Sequence, residues 1–238
     1  MQKKHLKSVL QTIEENPHPV AVVFDLDSTL FCVKWRTEGI IKDAVQTPAF
    51  IKNFSEMTEQ FQQIQVHPKD WSLKDIFKRH GLDPNTPASK TIQKFWSKYF
   101  FQNDYLHLDR PYEGSVEYVN LLHKTGGHVF YLTGRNKPYM GKGTVRSLKK
   151  WNFPLETENH LILKKDPAFE DSVYKLEELK MLKNKFQTIL FFENEPVILH
   201  MVHKYLPDIK MFWIDSAHSG KKSGPPDHIP AIPMSYLL

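Results

Sequence analysis

The sequence predicts an α/β chain, a doubly wound parallel sheet interrupted by a helical insert. Three observations carry that prediction. Val20-Ala-Val-Val-Phe24 is apolar at every position, as a strand buried on both faces must be. Further apolar runs at Val129–Leu132, Leu161–Leu163, Ile189–Phe192 and Met211–Ile214 alternate with helical stripes. This is the pattern of parallel strands joined by crossover helices. Between residues 35 and 108 the alternation stops and only helical spacing remains.

In chain order, Leu6, Val9, Leu10 and Ile13 give a helical stripe, which Pro17 and Pro19 end before the first strand. Ile51, Phe54, Met57 and Phe61 form a second stripe after Pro48. Trp71–Phe77 and Thr91–Phe100 read as two further helices separated by the turn-rich Gly81–Pro87. After Pro111 the predicted helices are Ser115–Lys124, Thr144–Trp151, Lys175–Asn184 and Pro196–Tyr205, each preceding a strand or following one. Ser219–Pro226 reads as loop, and Ile229–Leu238 as an extended segment lying on the surface. These boundaries divide the chain into a core of residues 1–34 and 109–238 and a helical cap of residues 35–108.

Composition narrows the function classes. The 238 residues are 40% hydrophobic and 25% charged, ordinary for a soluble globular protein. A single cysteine, Cys32, excludes an internal disulfide and fits a reducing compartment. Neither an apolar N-terminal core nor a membrane-length run is present, so the expected location is the cytoplasm, with no membrane partner. The net charge of +5 is dispersed rather than massed in one run, so a nucleic-acid partner is not expected. The twelve histidines do not fall at zinc-ligand spacing.

Chemistry concentrates at the strand ends. The first strand runs into Asp25-Leu-Asp27-Ser-Thr29, two carboxylates at i and i+2 that repel unless a cation or proton lies between them. Open α/β sheets bind ligands at this edge. Thr133-Gly134-Arg135 closes the second strand, and Glu193-Asn194-Glu195 closes a later one. Lys175 opens a predicted amphipathic helix between them. In this order the four segments resemble the motifs of the haloacid dehalogenase (HAD) superfamily. The resemblance covers about residues 18–33 and 110–215. It implies a Rossmann-like core with a cap inserted after the first strand.

The resemblance implies a phosphatase. Asp25 would attack phosphorus and carry an aspartyl-phosphate, splitting one hard displacement into two. Asp27 would protonate the leaving oxygen and then activate water. Thr133 and Gly134 would contact the phosphoryl group, and Lys175 would offset the charge gathered around Asp25. Lys164, Lys165 and Lys180 compete with Lys175 for that role. Mg²⁺ would be held by Asp25, Asp27, Glu193 and Asn194, with the choice among Glu193, Asn194 and Glu195 as direct ligand left open. Asn194 departs from the family's paired acids, because a neutral carbonyl replaces a carboxylate.

Other residues carry blander readings. Arg135 reads as the partner of a nearby acid, Cys32 as a packed thiol, and Trp35, Trp71, Phe95 and Trp96 as helical core. Arg36, Lys69, Lys78, Arg79 and His80 are candidates to recognise a leaving group. The expected substrate is a small phosphorylated metabolite beneath the cap. Two alternatives are a phosphatase for polynucleotide ends or phosphoproteins, and a catalytically impaired binding protein on the same fold.

Overall fold

The computed structural model describes residues 2–238. Helix α1 (Gln2–Glu15) leads into β1 (Val20–Phe24), then a short β2 (Phe31–Cys32). The insert follows with α2 (Lys34–Val45), α3 (Pro48–Phe54), α4 (Thr58–Gln62), α5 (Leu73–Arg79) and α6 (Pro87–Tyr99). A 3₁₀ turn, Asn103–Leu108, leads to β3 (Arg110–Pro111), which pairs antiparallel with β2 where the insert leaves and rejoins. Then come α7 (Ser115–Lys124), β4 (His128–Asn136), α8 (Lys137–Lys150), β5 (Leu161–Lys164), α9 (Asp171–Lys183), β6 (Thr188–Glu193), α10 (Pro196–Tyr205), β7 (Lys210–Asp215) and β8 (Ala231–Pro233).

The main sheet has the order β5-β4-β1-β6-β7-β8, and every pair in it is parallel. β1 is central, which explains its unbroken apolar run. Val20, Val22 and Phe24 face Leu6, Val9, Tyr118 and Leu122 from α1 and α7. Ala21 and Val23 face Leu179, Leu182, Leu199 and Val202 from α9 and α10. Both clusters are buried, so a polar residue at any β1 position would lie in apolar packing.

The structure revises several boundaries. The final segment is not merely laid on the surface: β8 adds a sixth strand to the sheet, and Tyr236 behind it is buried. Two prolines flank this edge strand, where a missing donor is tolerated. Helix α8 begins seven residues before the predicted start at Thr144, capped by Asn136 Oδ1 accepting from Tyr139 N at 2.9 Å. Likewise α9 begins at Asp171, so Lys175 lies in its second turn and does not open it.

Between β2 and β3 every described element is helical, and the insert has its own core, including Ile41, Phe50, Phe61, Phe77 and Ile92. It also docks on α8. Gly143 N donates to Asn103 Oδ1 at 2.5 Å, and Ser147 Oγ to the Leu106 carbonyl at 3.0 Å. A Cβ at Gly143 would lie 2.7 Å from Leu106 Cδ1 and 2.9 Å from Asn103 Oδ1, so a side chain there would push the insert away.

Candidate active site

The site grows from the carboxyl edge of the sheet. The Asp25 amide donates to the Phe192 carbonyl at 3.0 Å, extending the β1–β6 ladder by one step. The chain then turns sharply. Ser28 takes a left-handed φ of 63°, unusual for a residue with a Cβ. Its amide bonds to the Phe31 carbonyl at 2.8 Å, and the Phe31 amide returns to Leu26 at 2.9 Å. Two outside hydroxyls tie the turn down: Ser216 Oγ donates to the Ser28 carbonyl at 2.5 Å and Tyr236 to the Thr29 carbonyl at 2.8 Å. The C-terminal segment therefore helps to fix the acidic loop.

Asp25, Asp27, Thr133, Gly134, Lys175, Glu193 and Asn194 all line one cavity of about 800 Å³. Lys175, 3% exposed, bridges two carboxylates, with Nζ 2.7 Å from Asp25 Oδ1 and 2.7 Å from Glu193 Oε2. Its rivals are elsewhere: Lys164 pairs with Asp171, Lys180 with Glu177, and Lys165 is exposed. Burial pushes the Asp25 carboxyl upward, against the pull of Lys175, and takes Glu193 up to about 7. Two carboxylates around one ammonium leave the group one negative charge in excess when all are ionised. Asp25 lines the cavity, and besides Lys175 the backbone amide of Leu26 supports its carboxylate.

Glu193 is a partner of Lys175 first. Its Oε1 accepts from the amides of Asn194 and Glu195, both at 3.0 Å, so both oxygens are already engaged. Asn194 is held at both ends. Nδ2 donates to the Ala217 carbonyl at 2.6 Å, and Oδ1 accepts from Thr29 Oγ1 at 3.1 Å. Glu195 is turned away to the Ser219 hydroxyl and amide, at 2.6 and 2.8 Å. Thr133 Oγ1 accepts from Arg135 N at 3.2 Å, which leaves its hydroxyl proton for the cavity. Gly134 matters for space, since a Cβ there would meet Asp171 Oδ2 at 2.7 Å.

Asp27 is held between two arginines. Its Oδ1 accepts from Arg36 Nη2 at 2.8 Å, from Arg135 Nε at 3.0 Å and from Arg135 Nη2, while Oδ2 accepts from Arg36 Nη1 at 3.2 Å. Burial opposes the charge, but the Arg135 and Arg36 guanidiniums outweigh it and hold the carboxyl well below the usual carboxylate range. Asp27 is thus held as a carboxylate. Both guanidiniums also bind Asp109, which is fully buried. Arg135 is thus paired with acids, as its sequence context suggests, whereas Asp109 and Arg36 carry no such sequence signal.

The cavity roof revises the recognition residues too. Arg36 is consumed by the acids, Lys69 pairs with Asp215 at 2.8 Å, and Arg79 pairs with Asp70 at 2.5 Å. The His80 ring meets the Gln65 carbonyl, and neither it nor Lys78 lines the cavity. The insert instead contributes Leu73, Ile76, Trp96, Phe100 and Phe101, with Asp70 and Lys74 as its charged residues. Trp71, expected in the core, is 52% exposed at this cavity.

Residues 88–194 match the model of the HAD superfamily, subfamily IIIB, acid phosphatase. This stretch, under half of the chain, is similar to the HAD acid phosphatases. The match runs from α6 to Asn194, so it contains Thr133, Lys175 and Glu193 but begins after the Asp25–Thr29 loop. No curated protein matches the sequence. Among solved structures, a candidate HAD-like hydrolase from Burkholderia xenovorans is 14% identical, with 92% of this chain and 94% of that one covered and a TM-score of 0.55. A candidate phosphatase from Clostridium difficile is 14% identical over 88% and 91%, at 0.53. Protein tyrosine kinase A of Mycobacterium tuberculosis is 15% identical over 91% and 94%, also at 0.53. At such identities these likenesses show the HAD fold alone, and the kinase among them shows why fold does not fix chemistry. With the acid phosphatase match, the chain is similar to HAD-family phosphatases. No helix among the described residues is long and apolar enough to cross a membrane.

Proposed function

We propose that the protein hydrolyses small phosphomonoesters through an aspartyl-phosphate on Asp25. The observation that carries this reading is the state of Asp25 at the cavity wall: Lys175 fixes its Oδ1 at 2.7 Å while the residue lines the cavity. A carboxylate held in one orientation beside open space is an oriented nucleophile. Thr133 would donate its hydroxyl to the phosphoryl group, and Gly134 would let it approach. In the first step an Asp25 oxygen bonds to phosphorus, the ester phosphorus–oxygen bond breaks, and the leaving oxygen takes a proton from solvent. In the second, water attacks phosphorus, its proton passes to Asp27, and the Asp25–phosphorus bond breaks.

HAD phosphatases generally use Mg²⁺. The donors suit it, being oxygens of one carboxylate and neutral carbonyls. No group of three or more His, Cys, Asp or Glu able to hold a metal occurs among the described residues, so carbonyls must serve. With Nδ2 fixed to Ala217, the Asn194 oxygen is turned the other way. Asp25 and Asn194, with the main-chain carbonyl of Asp27, would hold the ion, while Glu193 steadies Lys175. When bound, the ion would neutralise charge between Asp25 and the phosphoryl group.

We read residues 35–108 as a cap over this cavity, which at about 800 Å³ suits a metabolite rather than a macromolecule. A panel of phosphomonoesters assayed with and without Mg²⁺ tests the whole reading. Small esters should be cleaved only with the ion, and beryllofluoride should bind as a mimic of phosphorylated Asp25. Hydrolysis without Mg²⁺, or none of any ester, rejects it.

A further inference from the structure

We propose that Asp109 and Arg36 are positioning residues for Asp27, so that the two chain crossings of the insert hold the base in line with the phosphorylated nucleophile. The proposal rests on the reading of Asp27 as base in the second step. Arg36 starts the insert on α2, and Asp109 stands where the chain returns, yet they are tied to each other and to Asp27. Asp109 Oδ1 accepts from Arg36 Nε at 2.8 Å, and Oδ2 accepts from Arg36 Nη2 at 2.5 Å and Arg135 Nη2 at 2.7 Å. Arg36 Nη1 reaches Asp27 Oδ2 at 3.2 Å and the Phe100 carbonyl at 3.4 Å, and Nη2 reaches Asp27 Oδ1 at 2.8 Å. All five N–H groups of Arg36 therefore have acceptors.

Asp109 does not line the cavity, so it cannot touch substrate. It acts through the arginines. Its own backbone is fixed, the amide bonding to the Leu106 carbonyl at 3.2 Å and the carbonyl accepting from Trp151 Nε1 at 3.1 Å. Two guanidinium forks reach Asp27 from different elements, α2 and β4, which leaves its carboxylate no free rotation. Without Asp109 the forks have one carboxylate between them and lose the anchor that sets their planes. A lysine at position 36 has a point charge and no planar fork, so it cannot hold both acids in register.

The bland alternative is a neutral buried quartet that only staples insert to core. The two differ in which step suffers. Water attacks phosphorus, the phosphorus–oxygen bond to Asp25 breaks with its electron pair returning to the carboxylate, and the proton goes to Asp27. Misplacing Asp27 slows this step and spares the first. Phosphorylation of Asp25 governs kcat/KM, whereas its hydrolysis governs kcat when it is the slow step.

The test uses the full chain with Mg²⁺ and p-nitrophenyl phosphate, whose leaving group departs without a proton. Asp109→Asn and Arg36→Lys are compared with Asp27→Asn by steady-state kinetics and acid quench for phosphoenzyme. Expected for all three is a fall in kcat of about tenfold or more, with kcat/KM kept within about twofold and phosphoenzyme accumulating. If Asp27→Asn lacks this split, the base reading fails and the proposal with it. If Asp27→Asn shows it and Arg36→Lys instead loses kcat and kcat/KM equally, or neither, the positioning role alone is overturned. Asp109→Asn removes a buried charge and its thermal midpoint is measured alongside. If it unfolds, Arg36→Lys decides, because that variant keeps the quartet neutral. An Arg36→Lys protein that also fails to fold overturns the proposal in favour of the staple.

Discussion

Two buried charge clusters meet at the Asp25–Asp27 loop, and they are built on opposite principles. Around Lys175 are two carboxylates, Asp25 and Glu193, so the cluster carries an excess negative charge, with Asp25 lining the cavity. Around Asp27 are two guanidiniums and a second acid, two charges of each sign, with the groups closed upon one another. The first is unsatisfied on the side where a cation and a phosphoryl group would arrive. The second is satisfied without any ligand. Reactivity belongs to the incomplete cluster and fixed geometry to the complete one, because a buried charge lacking partners is costly until a ligand supplies them.

The largest expected effect breaks the first cluster's chemistry while relieving its charge. Asp25→Asn should abolish phosphate release, since an amide cannot attack phosphorus. The same change removes the excess charge, so urea unfolding should give a stability equal to the wild type or higher by about 1 kcal/mol. A variant that retains turnover refutes the nucleophile, and one that is strongly destabilised refutes the account of the charge.

Removing the central cation goes the other way. Lys175→Met leaves Asp25 and Glu193 facing each other in a buried site, which should cost about 3–5 kcal/mol by urea unfolding at pH 7. A loss below 1 kcal/mol would mean that the two carboxylates do not depend on Lys175.

A smaller effect concerns the ion. If Asn194 is a direct ligand, Asn194→Asp should tighten Mg²⁺ binding by about tenfold in calorimetric titration, since it adds a charge beside the cation. Glu193→Gln should weaken binding less, through the loosened Lys175. Unchanged affinity in both variants would move the ion elsewhere.

The smallest effect belongs to the exposed pair Lys69–Asp215, where both side chains are more than two-fifths accessible. Lys69→Ala should change stability by less than about 1 kcal/mol, as solvent and salt screen such pairs. A larger loss would show that this contact between the insert and β7 holds the two together, a task otherwise assigned to the buried quartet.

Much of the fold was legible because burial leaves a periodic trace. The unbroken apolar run of β1 announces a central strand, and the acids just after it mark the edge where ligands bind. Lys175 was legible through its place before β6, although the start of α9 was not, since Asp171–Tyr174 has no strong apolar period. β8 was missed for a similar reason: Ala231-Ile-Pro233 is short and bounded by prolines, and only the edge of β7 makes it a strand. Trp71 reads as core by composition and lies half exposed at the cavity, because apolar character does not say which apolar surface is covered.

By itself, then, the sequence determined the layered α/β sheet, the helical insert, Asp25, Thr133 and Glu193 at the strand ends, and Lys175 on the helix before β6. Those follow from local rules, in which hydrophobic period sets the element and the strand end sets the residue's position. The partners of Asp27 were decided by tertiary structure alone. Arg36 and Asp109 are 73 residues apart and Arg135 another 26 beyond, with no spacing that links them. The pairing of β2 with β3 brings the segments of Arg36 and Asp109 side by side, and β4 carries Arg135 to them. A charge's role depends on its neighbours in space, and the Arg36 and Arg135 guanidiniums there hold Asp27 as a carboxylate that its motif alone would also allow to be an acid.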